Sequence, residues 1–278
     1  MVVSLPDFIV IGAAKSGTTT LQAWLKQQPD VFMCIKEPKF FAEEWHRGTA
    51  WYESLFATAA PGALRGEISP QYTFAEYADE AADRMAQLVP DARLIYVLRE
   101  PIERLVSHYR YRSRRAKVRK PLLDVVGEPG NFLVEGSRYH ARLAPYIAAF
   151  PREQICVLRF EDLVDGNGTG WSDVLRHLGL DDRPVPDGTR NVTAEGAQVS
   201  SLVGRLSAAR RRLGLPTPPA WVRRGNRWVA RTTAGEFEDP LGGDVPALPE
   251  RVTKIIWDDI AQLEAWLGVS GELWPRPT

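Results

Sequence analysis

The sequence predicts an α/β fold in three layers, a central parallel sheet with helices on both faces, and three observations carry that reading. Short, continuous apolar runs recur at residues 8–11 (FIVI), Arg93–Leu98 (RLIYVL) and residues 154–158 (QICVL). Strands buried on both faces have this character. Helical periodicity separates the runs, as parallel strands with crossover connections require. The first run ends in a glycine loop that opens directly onto a helix.

Each element follows from its pattern. After the glycine loop, Leu21, Trp24 and Leu25 stand at i, i+3, i+4, and the helix ends before Pro29. RLIYVL is followed by Pro101 at a helix start, with Ile102, Leu105, Val106 and Tyr109 on one face. An amphipathic helix around Tyr139–Ala149 precedes the third strand, and residues 171–178 form another that closes on Gly179. Near the C-terminal end, Val252, Ile255, Ile256, Ile260, Leu263, Trp266 and Leu267 trace one helical stripe. Between residues 181 and 247 the pattern weakens among prolines, glycines and arginines, which predicts an irregular insert or lid within one domain spanning residues 1–278.

Composition narrows the class. The 278 residues are 44% hydrophobic and 25% charged, ordinary for a globular protein, and 35 basic residues balance 35 acidic ones. Any anion site must therefore be local. No apolar run reaches the ~20 residues of a membrane span. The opening residues lack a basic n-region and run into the glycine loop, so they read as the first strand and not as a signal peptide. Two cysteines, Cys34 and Cys156, lack metal-ligand spacing and point to a reduced, cytoplasmic setting.

The segment Gly12-Ala13-Ala14-Lys15-Ser16-Gly17-Thr18-Thr19-Thr20 has the chemistry of a phosphate cradle. Glycines allow a tight turn, backbone N–H groups and the helix N-terminus face the anion, and Lys15 adds a full charge. Gly12 and Gly17 have Walker A spacing, but Thr18 stands where that loop carries lysine, and RLIYVL runs into Arg99-Glu100 without a terminal aspartate. The fold class is thus P-loop-like. An ATP-using kinase or nucleotidase is the alternative to be weighed.

IGAAKSGTTTL resembles the 5′-phosphosulfate loop of sulfotransferases that use 3′-phosphoadenosine 5′-phosphosulfate, and LREPIERLVSHY resembles their 3′-phosphate segment. KEPKFF (residues 36–41) and GEISPQYTF (residues 66–74) are similar to stretches of bacterial members and of the heparan sulfate branch, and FPREQICVLRFEDL is also family-like. These segments cover most of residues 8–180 in family order. The resemblance implies transfer of a sulfuryl group to a hydroxyl or amine of a carbohydrate or small-molecule acceptor, with adenosine 3′,5′-bisphosphate as product and no metal.

It also implies roles. Lys15, Ser16, Gly17, Thr18, Thr19 and Thr20 would hold the 5′ end of the donor, and Arg99 and Ser107 its 3′-phosphate. Arginine suits that task because its planar fork matches phosphate geometry. Lys15 is the candidate to steady charge on the leaving oxygen. Glu37, which matches the family's general base, is the candidate proton acceptor, and Glu67 is the runner-up. The chain departs from the branch at Lys39, where histidine is common, and at Ile68, where lysine is common. Lys36 or Lys39 is the expected substitute for that lysine. His108 reads as a packed or surface residue. Residues 190–196 (RNVTAEG) are a weak candidate for the loop closing over the nucleotide, and Trp221 and Trp228 suit adenine stacking or core packing equally.

Basic residues cluster at Arg110, Arg112, Arg114, Arg115, Lys117, Arg119 and Lys120, again at Arg205 and 210–212, and again at Arg223, Arg224, Arg227 and Arg231. Such runs suit a polyanion or a solvated face. No nucleic-acid motif accompanies them, so no nucleic-acid partner is expected.

Overall fold

The computed structural model of the protein describes residues 5–186, 241 and 245–276, residues 116 and 166 excepted. Residues 190–196, Trp221, Trp228 and the two later arginine clusters lie outside the described residues, as does most of the expected lid. Among the described residues, β1 (Phe8–Gly12), β2 (Val31–Met33), β3 (Leu64–Ile68), β4 (Arg93–Leu98) and β5 (Ile155–Arg159) form one sheet in the order β2-β3-β1-β4-β5. All neighbouring pairs are parallel, so every strand delivers its carboxyl end to the same edge.

The helices, in chain order, are α1 (Thr18–Leu25), α2 (Thr49–Ser54), α3 (Ala78–Leu88), α4 (Pro101–Arg114), α5 (Leu122–Gly127), α6 (Phe132–Glu135), α7 (Tyr139–Ala149), α8 (Phe160–Val164), α9 (Thr169–Leu178) and α10 (Glu250–Leu267). They cover both faces, which explains the unbroken apolar strands. Side chains alternate across a strand. Ile9, Ile11, Leu94, Tyr96 and Leu98 accordingly enter one core with residues of α3, α4, α7 and α10. Phe8, Val10, Ile95 and Val97 enter the other, with Leu21, Trp24 and Leu25 of α1 and with Trp171, Val174 and Leu175 of α9. Trp24 and Trp171 meet edge to face at 5.7 Å there. Full burial of each such side chain contributes roughly 1.5–3 kcal/mol. α10 is tied down by Asp259, whose carboxylate accepts the His140 and Ala141 N–H groups at the start of α7 (2.8 and 3.0 Å).

The chain departs from β1 to β3 and β2 on one side, and lies in β4 and β5 on the other. Loops at such a switch point diverge and leave a crevice above the strand ends. The segments singled out in the sequence all emerge at that edge: residues 13–17 after β1, 34–39 after β2, 69–74 after β3, and Arg99 after β4. Backbone bonds stitch them together. Ala13 N–H reaches Val97 O (2.7 Å), Ser69 N–H reaches Val10 O (3.2 Å), and Glu37 N–H reaches Ile68 O (3.1 Å).

Candidate functional site

The loop after β1 depends on two glycines. A Cβ at Gly12 would lie 2.4 Å from Thr73 Oγ1. Gly17 has φ 84° and caps α1, and a Cβ there would lie 2.1 Å from the Phe160 ring. Three residues around the crevice adopt left-handed φ without being glycine: Lys15 (74°), Glu37 (56°) and Lys39 (56°). Each costs about 1 kcal/mol of backbone strain, held in place by the stitching around it. Ser16, Thr18 and Thr20 are buried, and Ser16 N–H is already bonded to Ala13 O (3.2 Å). The polar side chains of the cradle that keep some exposure are Lys15 and Thr19.

Cations converge on this loop. The Lys15 ammonium lies 4.3 Å from the centre of the Tyr111 ring, which Arg115 also covers at 4.5 Å. Burial, joined by the charges of Arg115, Arg99, Lys36 and Arg114, lowers the Lys15 ammonium to about 8. Lys36 Nζ donates to Thr19 Oγ1, bringing the loop after β2 onto the start of α1. Burial lowers the Lys36 ammonium as well. Lys39, the other expected substitute, instead pairs with Glu43 at 2.9 Å. Arg115 of the long basic run thus reaches the Tyr111 ring that also meets Lys15.

Arg99 follows the last residue of β4, with its carbonyl accepting the Tyr139 hydroxyl (2.8 Å). Its guanidinium forms a fork on Glu103 Oε2 (3.1 and 2.7 Å) and lies 5.9 Å from the Phe160 ring centre, beside Gly17. Glu103, Ser107 and Tyr111 recur at i, i+4 and i+8 along α4, so they share a face. Arg99 meets that face at Glu103 and Lys15 meets it at Tyr111, with Ser107 between them. Glu103 is 60% exposed, so its pairing with Arg99 is weakly held and easily exchanged.

The two carboxylate candidates differ sharply. Glu37 is half-buried and accepts from Gln71 Nε2 (2.8 Å), on the turn that follows β3. Glu67 is fully buried. Burial pushes its carboxyl up to about 8, against the opposing pull of the Tyr72 and Tyr52 hydroxyls. Those hydroxyls polarise it from outside good bonding geometry, since neither carboxyl oxygen has a well-formed hydrogen bond. His108 is buried between Phe74 and Phe132, with ring centres at 6.4 and 5.0 Å. Burial and the nearby Arg104 charge hold it neutral.

One residue escaped the sequence reading. Arg104, on the face of α4 away from the predicted apolar stripe, is nonetheless 1% exposed. Its guanidinium donates to Ser137 Oγ (2.8 Å), Ala14 O (3.4 Å) and Leu133 O (2.5 Å), and contacts His108 Nδ1 at 3.2 Å. It braces the phosphate loop from beneath and has no carboxylate partner among the described residues. Its place off the apolar stripe gave no signal of burial, which depends on the Ser137 turn and Leu133 packing over it.

A glycine loop at a parallel sheet's switch point, ringed by lysine and arginine, gives an α/β protein a site suited to an anionic ligand. The sulfotransferase domain model matches residues 5–190, and the chain belongs to that family. It is 30% identical over 185 residues to mouse heparan sulfate glucosamine 3-O-sulfotransferase 3B1, covering 63% of this chain and 46% of that protein. It is 36% identical over 104 residues to human heparan sulfate glucosamine 3-O-sulfotransferase 6, covering 37% and 30%. The chain thus spans less than half the length of these relatives. In fold it is similar to a sulfotransferase from Alicyclobacillus acidocaldarius, with TM-score 0.65 and 22% identity over 96% of this chain and 97% of that one.

Proposed function

We propose that this protein transfers a sulfuryl group from 3′-phosphoadenosine 5′-phosphosulfate to an acceptor hydroxyl or amine. The observation that carries the reading is the gathering of Lys15, Lys36, Arg99 and Arg115 around a glycine loop, where burial together with these neighbouring charges brings the Lys15 ammonium down to about 8. Such like-charge crowding is costly unless a polyanion relieves it. The donor's two anionic ends suit the two ends of the Glu103–Ser107–Tyr111 face. Lys15, Thr19 and the first turn of α1 would hold the 5′ end, and Arg99, released from Glu103, would grip the 3′-phosphate with Ser107.

In this reading an acceptor oxygen attacks sulfur as the bond from sulfur to the donor's bridging phosphate oxygen breaks. Lys15 and Lys36 stabilise the charge that builds on the departing phosphate. Lys36 thereby fills the place left by Ile68. Glu37, held by Gln71, takes the acceptor's proton. Glu67 supports the loops from within. The alternative of an ATP-dependent kinase lacks its lysine at position 18, and the family match is to the sulfotransferase domain. A carbohydrate or small molecule as acceptor, and a cytoplasmic setting with unpaired Cys34 and Cys156, complete the proposal. Among the described residues no helix is long and apolar enough to cross a membrane.

The test is incubation with sulfur-labelled donor and a panel of carbohydrate and phenolic acceptors, with ATP and magnesium in parallel. Label appearing on an acceptor supports the proposal. Phosphoryl transfer from ATP, with no binding of adenosine 3′,5′-bisphosphate, would overturn it.

A further inference from the structure

A cavity of about 150 Å³ opens beside the phosphate loop, walled by Ala14, Phe74, Arg104, His108, Arg112 and Phe132. A space of that size holds one six-membered ring. It adjoins the reacting end of the crevice: Ala14 precedes Lys15, and Thr73, also on its wall, lies two residues from the Gln71 that holds Glu37. Phe74 and Phe132 flank His108 and offer two aromatic surfaces.

The charges on its wall are unevenly matched. Glu135 is already engaged by Arg138 (3.1 Å) and Arg142 (3.4 Å). Arg104 spends its donors on Ser137 and on backbone carbonyls. Arg112 has no carboxylate partner among the described residues. Its guanidinium lies 4.8 Å from the Phe132 ring centre, and its Nε is buried without a hydrogen bond. An arginine set over an aromatic wall, with a buried donor unused, is a ready partner for a carboxylate. Glu76, exposed at the mouth, would bias against a second anion further out.

We propose that this cavity is the acceptor subsite, and that it takes a six-membered ring bearing a carboxylate, the ring against Phe132 and Phe74 and the carboxylate on Arg112. The inference rests on the sulfuryl-transfer reading and narrows it to an acidic, ring-sized acceptor group. Aromatic hydroxy acids and uronic acids share this chemistry.

The test uses protein saturated with adenosine 3′,5′-bisphosphate, so that the probes cannot occupy the donor's anion sites. Binding of 4-hydroxybenzoate, phenol, glucuronate and glucose is measured by calorimetry and by saturation-transfer NMR. The acid of one pair should bind at least ~10-fold more tightly than its neutral counterpart, and the pair that does so identifies the ring as aromatic or sugar. Arg112→Gln should erase that preference while leaving nucleotide affinity unchanged. Ala75→Trp, at an exposed position on the cavity wall, should block the acid without touching the core. Equal binding of acid and neutral rings, or an acid preference that survives both variants, would overturn the inference. If the protein fails to bind the nucleotide at all, the donor reading falls instead, and the same probes on nucleotide-free protein still score the cavity.

Discussion

Raising the pH from about 7 to about 9.5 removes the proton from Lys15 and should weaken nucleotide binding in a calculable way. In the free protein the Lys15 ammonium titrates at about 8, because burial and the Arg115, Arg99, Lys36 and Arg114 charges oppose it. A bound bisphosphate supplies the opposing charge and returns the lysine toward its ordinary range near 10.4. Between those two values, binding must take up a proton, so affinity falls as pH rises. Each unit above the free-protein value costs up to tenfold, giving a loss of about 30-fold by pH 9.5. The nucleotide's phosphates, with a second pKa of about 6, are almost fully ionised above pH 7 and contribute little slope. Glu67 also titrates near 8 and must be separated. The assay is calorimetric titration with adenosine 3′,5′-bisphosphate in two buffers of different ionisation enthalpy, which counts protons directly. About half a proton should be taken up at pH 8. The dependence should survive Glu67→Gln and vanish in Lys15→Met. A flat affinity, or a slope that persists in Lys15→Met, would refute the reasoning.

Other perturbations follow from the same geometry. Arg99→Ala should weaken adenosine 3′,5′-bisphosphate by about 2 kcal/mol, roughly 30-fold, as a charged phosphate partner is lost. Glu103→Gln should strengthen it a few-fold by freeing Arg99, both read by calorimetry. Glu37→Gln should cut sulfuryl transfer by ~100-fold or more while leaving donor affinity intact, and turnover within a few-fold of wild type would remove Glu37 from the reaction. The Glu67 carboxyl is raised in the folded state, so its contribution to stability is fully present below the unfolded value near 4.5 and is lost as pH climbs through about 8. Glu67→Gln should therefore gain on the wild type as pH rises from about 5 to about 8.5, by a few kcal/mol on denaturant melts. Arg104→Lys keeps the charge but leaves buried carbonyls short of donors, costing about 2–4 kcal/mol of stability. A melting curve unchanged from wild type would show that the brace under Ala14 carries no weight.

Much of this arrangement was readable because it is local. The glycine spacing of 12 and 17, the apolar runs of β1 and β4 and the Arg99–Ser107 interval all lie within single segments, where period and turn chemistry are decisive. Helix α7 falls at the expected Tyr139–Ala149. What stayed hidden depends on tertiary neighbours. β2 has three residues and exists because β3 pairs with it, a contact 33 residues away in register at Met33 and Gly66. Arg104 lies off the predicted apolar stripe of α4 and His108 read as either packed or surface; α6 and the Ser137 turn cover both. Lys36 and Lys39 were equivalent on paper. Only the folded loop turns one toward Thr19 and the other back on Glu43. Tyr111, which carries the Lys15 ammonium, gave no sign beyond its i+4 spacing from Ser107.

A crystal structure of the complex with adenosine 3′,5′-bisphosphate bears on all of this at once. The account predicts the 5′-phosphate on Lys15 and Thr19, and the 3′-phosphate on Ser107 and an Arg99 that has let go of Glu103. A nucleotide bound elsewhere, with the Arg99–Glu103 fork unbroken, would contradict it.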